Sequence, residues 1–209
     1  MYETRAQRIA LAQQRIDRVN RKFEFTAESV GSSGYVRHKC FVSYHSDDTE
    51  EAADFVESLE PVFIPRAIGV SEEDDIIEST DVDYIRDTIR TNYLRDSTVT
   101  IVLVGRCTWA RKFVDWEIYS SLRDGKIARH NGLLGILLPS ASSPFPPVPD
   151  RLSANIPRDG DDAYGRYRSY PPGQSSLRGW IQDAFDARTA REELIKNGDP
   201  LFQRNRSCS

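Results

Sequence analysis

Glu117 is the residue in this chain best placed to do chemistry. It stands in Arg111-Lys112-Phe113-Val114-Asp115-Trp116-Glu117-Ile118-Tyr119-Ser120-Ser121-Leu122, which follows an apolar strand by a short turn and reads as a half-buried helix. A carboxylate beside Trp116 in such a helix is solvated, paired with a cation, or used. The plain alternative to use is a surface position or an ion pair with Arg111 or Lys112. Ser43, Tyr44 and His45 form a second polar cluster at the end of the run Cys40-Phe41-Val42-Ser43-Tyr44. Cys107 and Thr108 form a third, just past Gly105. Asp47 and Asp48 fit the capping of the next helix better than a binding role, and His45 fits a capping or surface position as well as a site.

The elements that position these clusters are legible. Residues 4–25 carry Ile9, Ala12, Ile16, Val19 and Phe23 in steps of three and four, an amphipathic helix that either packs on its own domain or docks another subunit. Gly31-Ser32-Ser33-Gly34 breaks the chain. After the Cys40 strand, Ala52, Phe55, Val56 and Leu59 mark a helix that Pro61 stops, and Val62-Phe63-Ile64 suggests a second strand. An acidic loop spans 69–82. Tyr84, Ile85, Ile89, Tyr93 and Leu94 mark a helix, the run from Ser97 to Val104 a strand buried on both faces, and Gly132 to Leu138 another. Residues 140–175, rich in Pro, Ser, Gly and Asp, read as a long irregular excursion. Leu177, Trp180, Ile181, Ala184, Phe185 and Ala187 open a last helix before a polar tail that is expected to fray.

Strands alternating with helices, the strands continuously apolar, predict an open parallel α/β sheet of flavodoxin-like type. Three segments follow: 1–34, N-terminal helix and linker; 35–140, α/β core; 141–209, excursion, C-terminal helix and tail packed on the core. Ligands in such sheets sit outside the carboxyl ends of the strands. That rule puts His45–Asp48, Gly105–Thr108 and the start of the Glu117 helix on one rim.

Composition excludes several classes. Of 209 residues, 28 are Lys or Arg and 32 Asp or Glu, a net charge of -4, so the clustered cations that nucleic acid demands are missing. Three cysteines and three histidines, scattered, predict neither a disulfide framework nor a metal site, and a reducing cytoplasm fits them best. No apolar run is long enough to span a bilayer. A phosphoacceptor receiver would need an aspartate where the central strand ends, and Val104-Gly105 stands there instead.

Phe41-Val42-Ser43-Tyr44-His45-Ser46-Asp47-Asp48 resembles the opening motif of TIR domains. The strand from Thr98 to Gly105, Thr108, and Lys112-Phe113-Val114-Asp115-Trp116-Glu117-Ile118 are similar to the strand and tryptophan–glutamate helix of TIR domains that cleave NAD. The details look most like the TIR-like family of bacterial Thoeris anti-phage systems, the ThsB group, from Arg37 to Arg188. The N-terminal helix lies outside the resemblance, and the acidic loop stands where the usual TIR loop after the second strand belongs.

The resemblance implies a cytoplasmic signalling hydrolase, an NAD nucleosidase or ADP-ribosyl cyclase, with NAD as substrate and no cofactor. Glu117 would be catalytic. Ser43, Tyr44, His45, Cys107, Thr108 and Trp116 would line the substrate, although Trp116 suits packing of the helix onto the sheet better than contact with NAD. The product would be linear or cyclic ADP-ribose, the cyclic form activating a separate effector. Self-association, for which the N-terminal helix is a candidate, and a phage trigger are further implied partners; nucleic acid and membrane are not. The rival is a non-enzymatic TIR-like adaptor.

Overall fold

The computed structural model describes residues 4–28, 34–68, 81–94, 96–124, 129–141, 146–158 and 161–208. Residues 31–33 of the Gly/Ser break and residues 69–80 of the acidic loop lie outside them. Among the described residues, five parallel strands form one sheet in the order β2-β1-β3-β4-β5. They are β1 (Lys39–Ser43), β2 (Ile64–Ile68), β3 (Val99–Val104), β4 (Gly132–Leu137) and β5 (Arg166–Arg168). The helices are α1 (Arg5–Phe23), α2 (Thr49–Leu59), α3 (Val82–Ile89, prolonged by a π-helical turn Arg90–Leu94), α4 (Lys112–Ser121), α5 (Asp150–Ala154) and α6 (Gln174–Ala190). This is the doubly wound, flavodoxin-like sheet that the apolar runs predict.

β1, β3 and β4 pair without interruption because helices cover both their faces, as their continuous apolar sequences require. β1 shows the consequence of two-residue alternation. Cys40 and Val42 join the core under α1, α2 and α6, whereas Phe41 joins Trp116, Ile85 and Ile89 on the opposite face. Ser43 therefore faces α4, and Tyr44 faces α1.

The second strand lies two residues beyond its expected position and contains Pro65. β2 is an edge strand, where a missing N–H leaves no ladder bond open. The excursion holds two elements that its composition hides. α5 is a helix of five residues, and β5, Arg166-Tyr167-Arg168, extends the sheet beside Leu134–Ile136. The tail is not frayed. Leu201 is buried with Trp116, and the Phe202 amide donates to the Asp115 carboxylate.

α1 starts at a capping box in which Thr4 Oγ1 accepts the Gln7 N–H and the Gln7 amide accepts the Thr4 N–H. Its stripe of Ala12, Ile16, Val19 and Phe23 packs on its own domain. A homo-oligomer through this helix would have to use its other faces. Arg5, Arg8, Arg15 and Lys22 pair with Asp47, Glu50, Asp54 with Glu57, and Glu60 along α2 and the turns that flank it. Arg66, buried beneath, donates to the carbonyls of Phe23 and Thr26 and closes the helix end. Burial, not charge, holds α1, because exposed ion pairs contribute little. Ile16→Ala is expected to cost about 3 kcal/mol, against less than about 1 kcal/mol for Arg15→Ala, measured by urea unfolding.

Candidate active site

The site forms where β1 and β3 end. Ser43, the last residue of β1, donates its hydroxyl to Glu117 Oε2 at 2.5 Å. Ser43 is 0% and Glu117 1% exposed, so the surface reading of Glu117 does not hold. α4 is buried from Val114 to Ser121, not on one side only, because the tail and α5 cover the flank turned from the sheet. A carboxyl in such surroundings needs a polar partner, and alternation along β1 aims the Ser43 hydroxyl at it.

Asp115, Trp116 and Glu117 leave α4 at successive steps of about 100° and meet three different partners. Asp115 forms a buried ion pair with Arg151 of α5 at 2.9 Å. Trp116 packs against Phe41 and Ile85 and donates its indole N–H to the Phe202 carbonyl at 2.8 Å. Its ring lies in the core, as packing of the helix onto the sheet requires, and not beside the Glu117 carboxyl. Tyr44 also leaves the cluster. Its hydroxyl donates to Gln13 of α1 at 3.3 Å, and burial pushes the phenol well above its usual range, the Glu117 charge adding to the effect.

A second cluster lies on the same rim. Thr108 Oγ1 accepts the Gly105 N–H at 2.9 Å and lies 3.2 Å from Asp48 Oδ2, to which it donates. Asp48 occupies the N-cap position of α2 but makes no side-chain cap bond, so the capping reading gives way to a contact across the rim. Gly105 is required by that contact, since a Cβ there would stand 2.3 Å from Asp48 Oδ2. His45 is 9% exposed, with Nε2 3.4 Å from Asp47 Oδ2 and Nδ1 3.4 Å from Ser46 Oγ.

Cys107 is bonded to Cys208. This corrects two expectations: its sulfur is not available as a thiol to hold substrate, and the cysteines do not all remain reduced. A separation of 101 residues, ending in a tail that reads as loose, hid the pair. Among the described residues no cluster of His, Cys, Asp and Glu suits a metal ion, and no helix is long and apolar enough to cross a membrane. Two clefts lie elsewhere. One, of about 410 Å³, runs between α1 and β2 along Asp17, Arg21 and Arg66; the other, of about 590 Å³, lies beside α5 along Asp150, Arg158 and Lys196. Neither is lined by Ser43 or Glu117.

Sequence reasoning passed over Asp48 and Gly105 as site residues and Asp115 as an anchor. The signals were present: a glycine directly after a buried strand, a polar turn facing it across the rim, and an acidic residue inside a helix that is otherwise apolar.

A parallel sheet of order 2-1-3-4-5 with an acidic residue on α4 facing the end of β1 is the architecture of a TIR-like domain. Comparison with protein families matches residues 41–143 to Thoeris protein ThsB, TIR-like domain. Over these residues the chain is similar to that TIR-like domain, which supports a TIR-type defence protein. Comparison with curated proteins finds no match.

Asp48 carries a testable electrostatic signature. Burial pushes its carboxyl up to about 6; the Thr108 hydroxyl and Arg111 oppose the shift, while Glu51 and Asp47 reinforce it. The folded chain thus holds this proton more tightly than the unfolded chain does. Stability is fully present below the unfolded value of about 4 and is lost as pH rises through about 6. Asp48→Asn keeps an oxygen for Thr108 and removes the charge. It should be more stable than the parent by about 1 kcal/mol at pH 7.5, after discounting for partial exposure. The gap should close toward pH 4 in urea unfolding across this range.

Proposed function

We propose that this chain cleaves NAD at the bond between ribose and nicotinamide, with Glu117 as its catalytic carboxylate. The observation that carries the reading is the Ser43–Glu117 pair, a carboxyl held at the carboxyl ends of the strands, where ligands of open α/β sheets bind. Nicotinamide leaves a pyridinium as a neutral molecule, so no general acid is needed, in contrast to ordinary glycosides with their two carboxylates. One carboxylate suffices if it faces the positive charge that grows on the ribose. Ser43 orients it, and Thr108 and His45 stand on the rim within the same group of turns. No glycine-rich phosphate loop is in the sequence, so NAD is substrate and not a redox cofactor.

Attack by water on the ribose gives ADP-ribose, whereas attack from the adenine end of the same molecule gives a cyclic isomer. Exclusion of water selects the second, and the burial of Ser43 and Glu117 favours it. A cyclic ADP-ribose-type signal would then reach a separate effector in anti-phage defence. The same burial means that the rim must open before NAD enters. An enzyme held silent until self-association or a phage trigger opens it fits that requirement.

The burial also favours one other reading, a non-enzymatic adaptor in which the Ser43–Glu117 bond only joins β1 to α4. Nicotinamide release separates the two. The purified chain, and cells that carry it during infection, should release nicotinamide from NAD. Glu117→Gln should lower the rate by about 100-fold or more while its urea midpoint stays near that of the parent. Ser43→Ala, which leaves the carboxylate but loosens it, should lose about tenfold. Release that is absent both in vitro and during infection, from a folded parent, would favour the adaptor.

A further inference from the structure

We propose that Cys107 and Cys208 form a redox-operated latch that pins the outer tail, residues 203–208, over the first turn of α4 and the loop that carries Thr108. The tail has two halves held by different physics. The inner half is anchored in the interior. Leu201 is buried, Phe202 is bonded through its N–H to Asp115 and through its carbonyl to Trp116, and Arg151 donates to the carbonyls of Asp199 and Pro200. The outer half has exposed side chains up to Cys208. Its contacts include the Lys112 N–H donated to Asn205 Oδ1 at 2.9 Å, the Arg206 N–H donated to the Ala110 carbonyl at 2.8 Å, the Arg206 guanidinium 4.1 Å from the centre of the Phe202 ring, and an Arg206–Asp150 ion pair with side chains 44% and 54% exposed. Solvated contacts of this kind hold a chain end weakly. The covalent bond to Cys107 is what fixes it, with Cα atoms 5.7 Å apart.

The position of the latch gives it a consequence at the rim. Arg111 stands at the N-cap of α4 without a side-chain cap bond. Asn205, brought in by the tail, accepts the first helical N–H in its place. Cys107 directly precedes Thr108, whose hydroxyl joins Gly105 to Asp48. Closing the bond therefore fixes both the start of the helix that carries Glu117 and one side of the rim. Cys107 and Cys208 are both partly exposed, so small thiols reach them. Cys40, the third cysteine, is buried and its thiol is pushed well above its usual range, which keeps it out of exchange.

The chemistry balances as thiol–disulfide exchange. The Cys208 thiolate attacks a small-molecule disulfide and expels one thiolate; the Cys107 thiolate then attacks the sulfur of Cys208 and expels the second. Two protein thiols become one protein disulfide, and the oxidant is reduced to two small thiols. Two small monothiols, such as reduced glutathione, run the sequence backwards through the same mixed disulfide.

The test uses the full chain equilibrated with oxidised or reduced glutathione, with alkylation and mass spectrometry to count thiols and hydrogen exchange to follow amides. Oxidised protein should present one alkylatable thiol after denaturation, and reduced protein three. Reduction should raise exchange at 203–208 and at Lys112 at least tenfold and leave 199–202 protected. Cys208→Ser should reproduce the reduced pattern and no longer respond to reductant, with Cys107→Ser as the independent second variant. Failure of the pair to form in oxidised glutathione, or equal exchange in the two forms, would overturn the proposal. Neither readout depends on NAD cleavage, so the latch stands or falls apart from that activity.

Discussion

The hydrogen bond between Ser43 and Glu117 sets the terms for the rest of the molecule. A carboxyl taken out of water destabilises the fold unless a polar group meets it. The group that meets it is fixed by alternation on β1, and the carboxyl arrives only if α4 is rotated correctly about its own axis. Three contacts in different directions set that rotation. Val114, Ile118 and Leu122 pack on the sheet, Trp116 locks into the cluster around Phe41, and Asp115 is held by Arg151. The tail closes the remaining side through Leu201 and Phe202. Segments far apart in sequence thus converge on the orientation of one side chain.

The extent to which this was legible in the sequence follows the range of the interactions involved. β1, β3 and β4 could be read because double-sided burial writes itself as a continuous apolar run. α1, α2, α3 and α6 could be read because a single buried stripe recurs every three or four residues. β5 could not, because three residues with two arginines carry no hydrophobic signature and take their strand conformation from β4. α5 is too short for periodicity to register. The tail failed for another reason: its anchors, Leu201, Phe202 and Cys208, are single residues among polar neighbours, each meaningful only through a partner some 85 to 100 positions away.

The site divides along the same line. Glu117 and Thr108 could be placed on a rim by the rule for parallel sheets. The side chains that share a pocket within that rim are a matter of phase, and phase separates neighbours. Tyr44 follows Ser43 directly and therefore turns to α1, and Trp116 precedes Glu117 and turns into the core. Local rules misjudged Asp48. An acidic residue at a helix start satisfies the capping pattern, yet its side chain is drawn across to Thr108, because Gly105 leaves the space of a missing Cβ for it.

The rim and the core differ in how firmly they are closed, a difference that the proposed activity of a buried site would need. Behind Glu117, the contacts are apolar or fully buried, and opening them would unfold the domain. On the turns at the rim, the contacts are of another kind. Arg5 and Asp47 form an exposed pair that contributes little. Asp48 is held as an anion against the preference of its surroundings at neutral pH. Local opening of weakly held elements over a rigid base needs far less free energy than global unfolding. The Ser43–Glu117 pair can therefore stay assembled while the turns at the rim separate, which is the opening that the proposed activity requires.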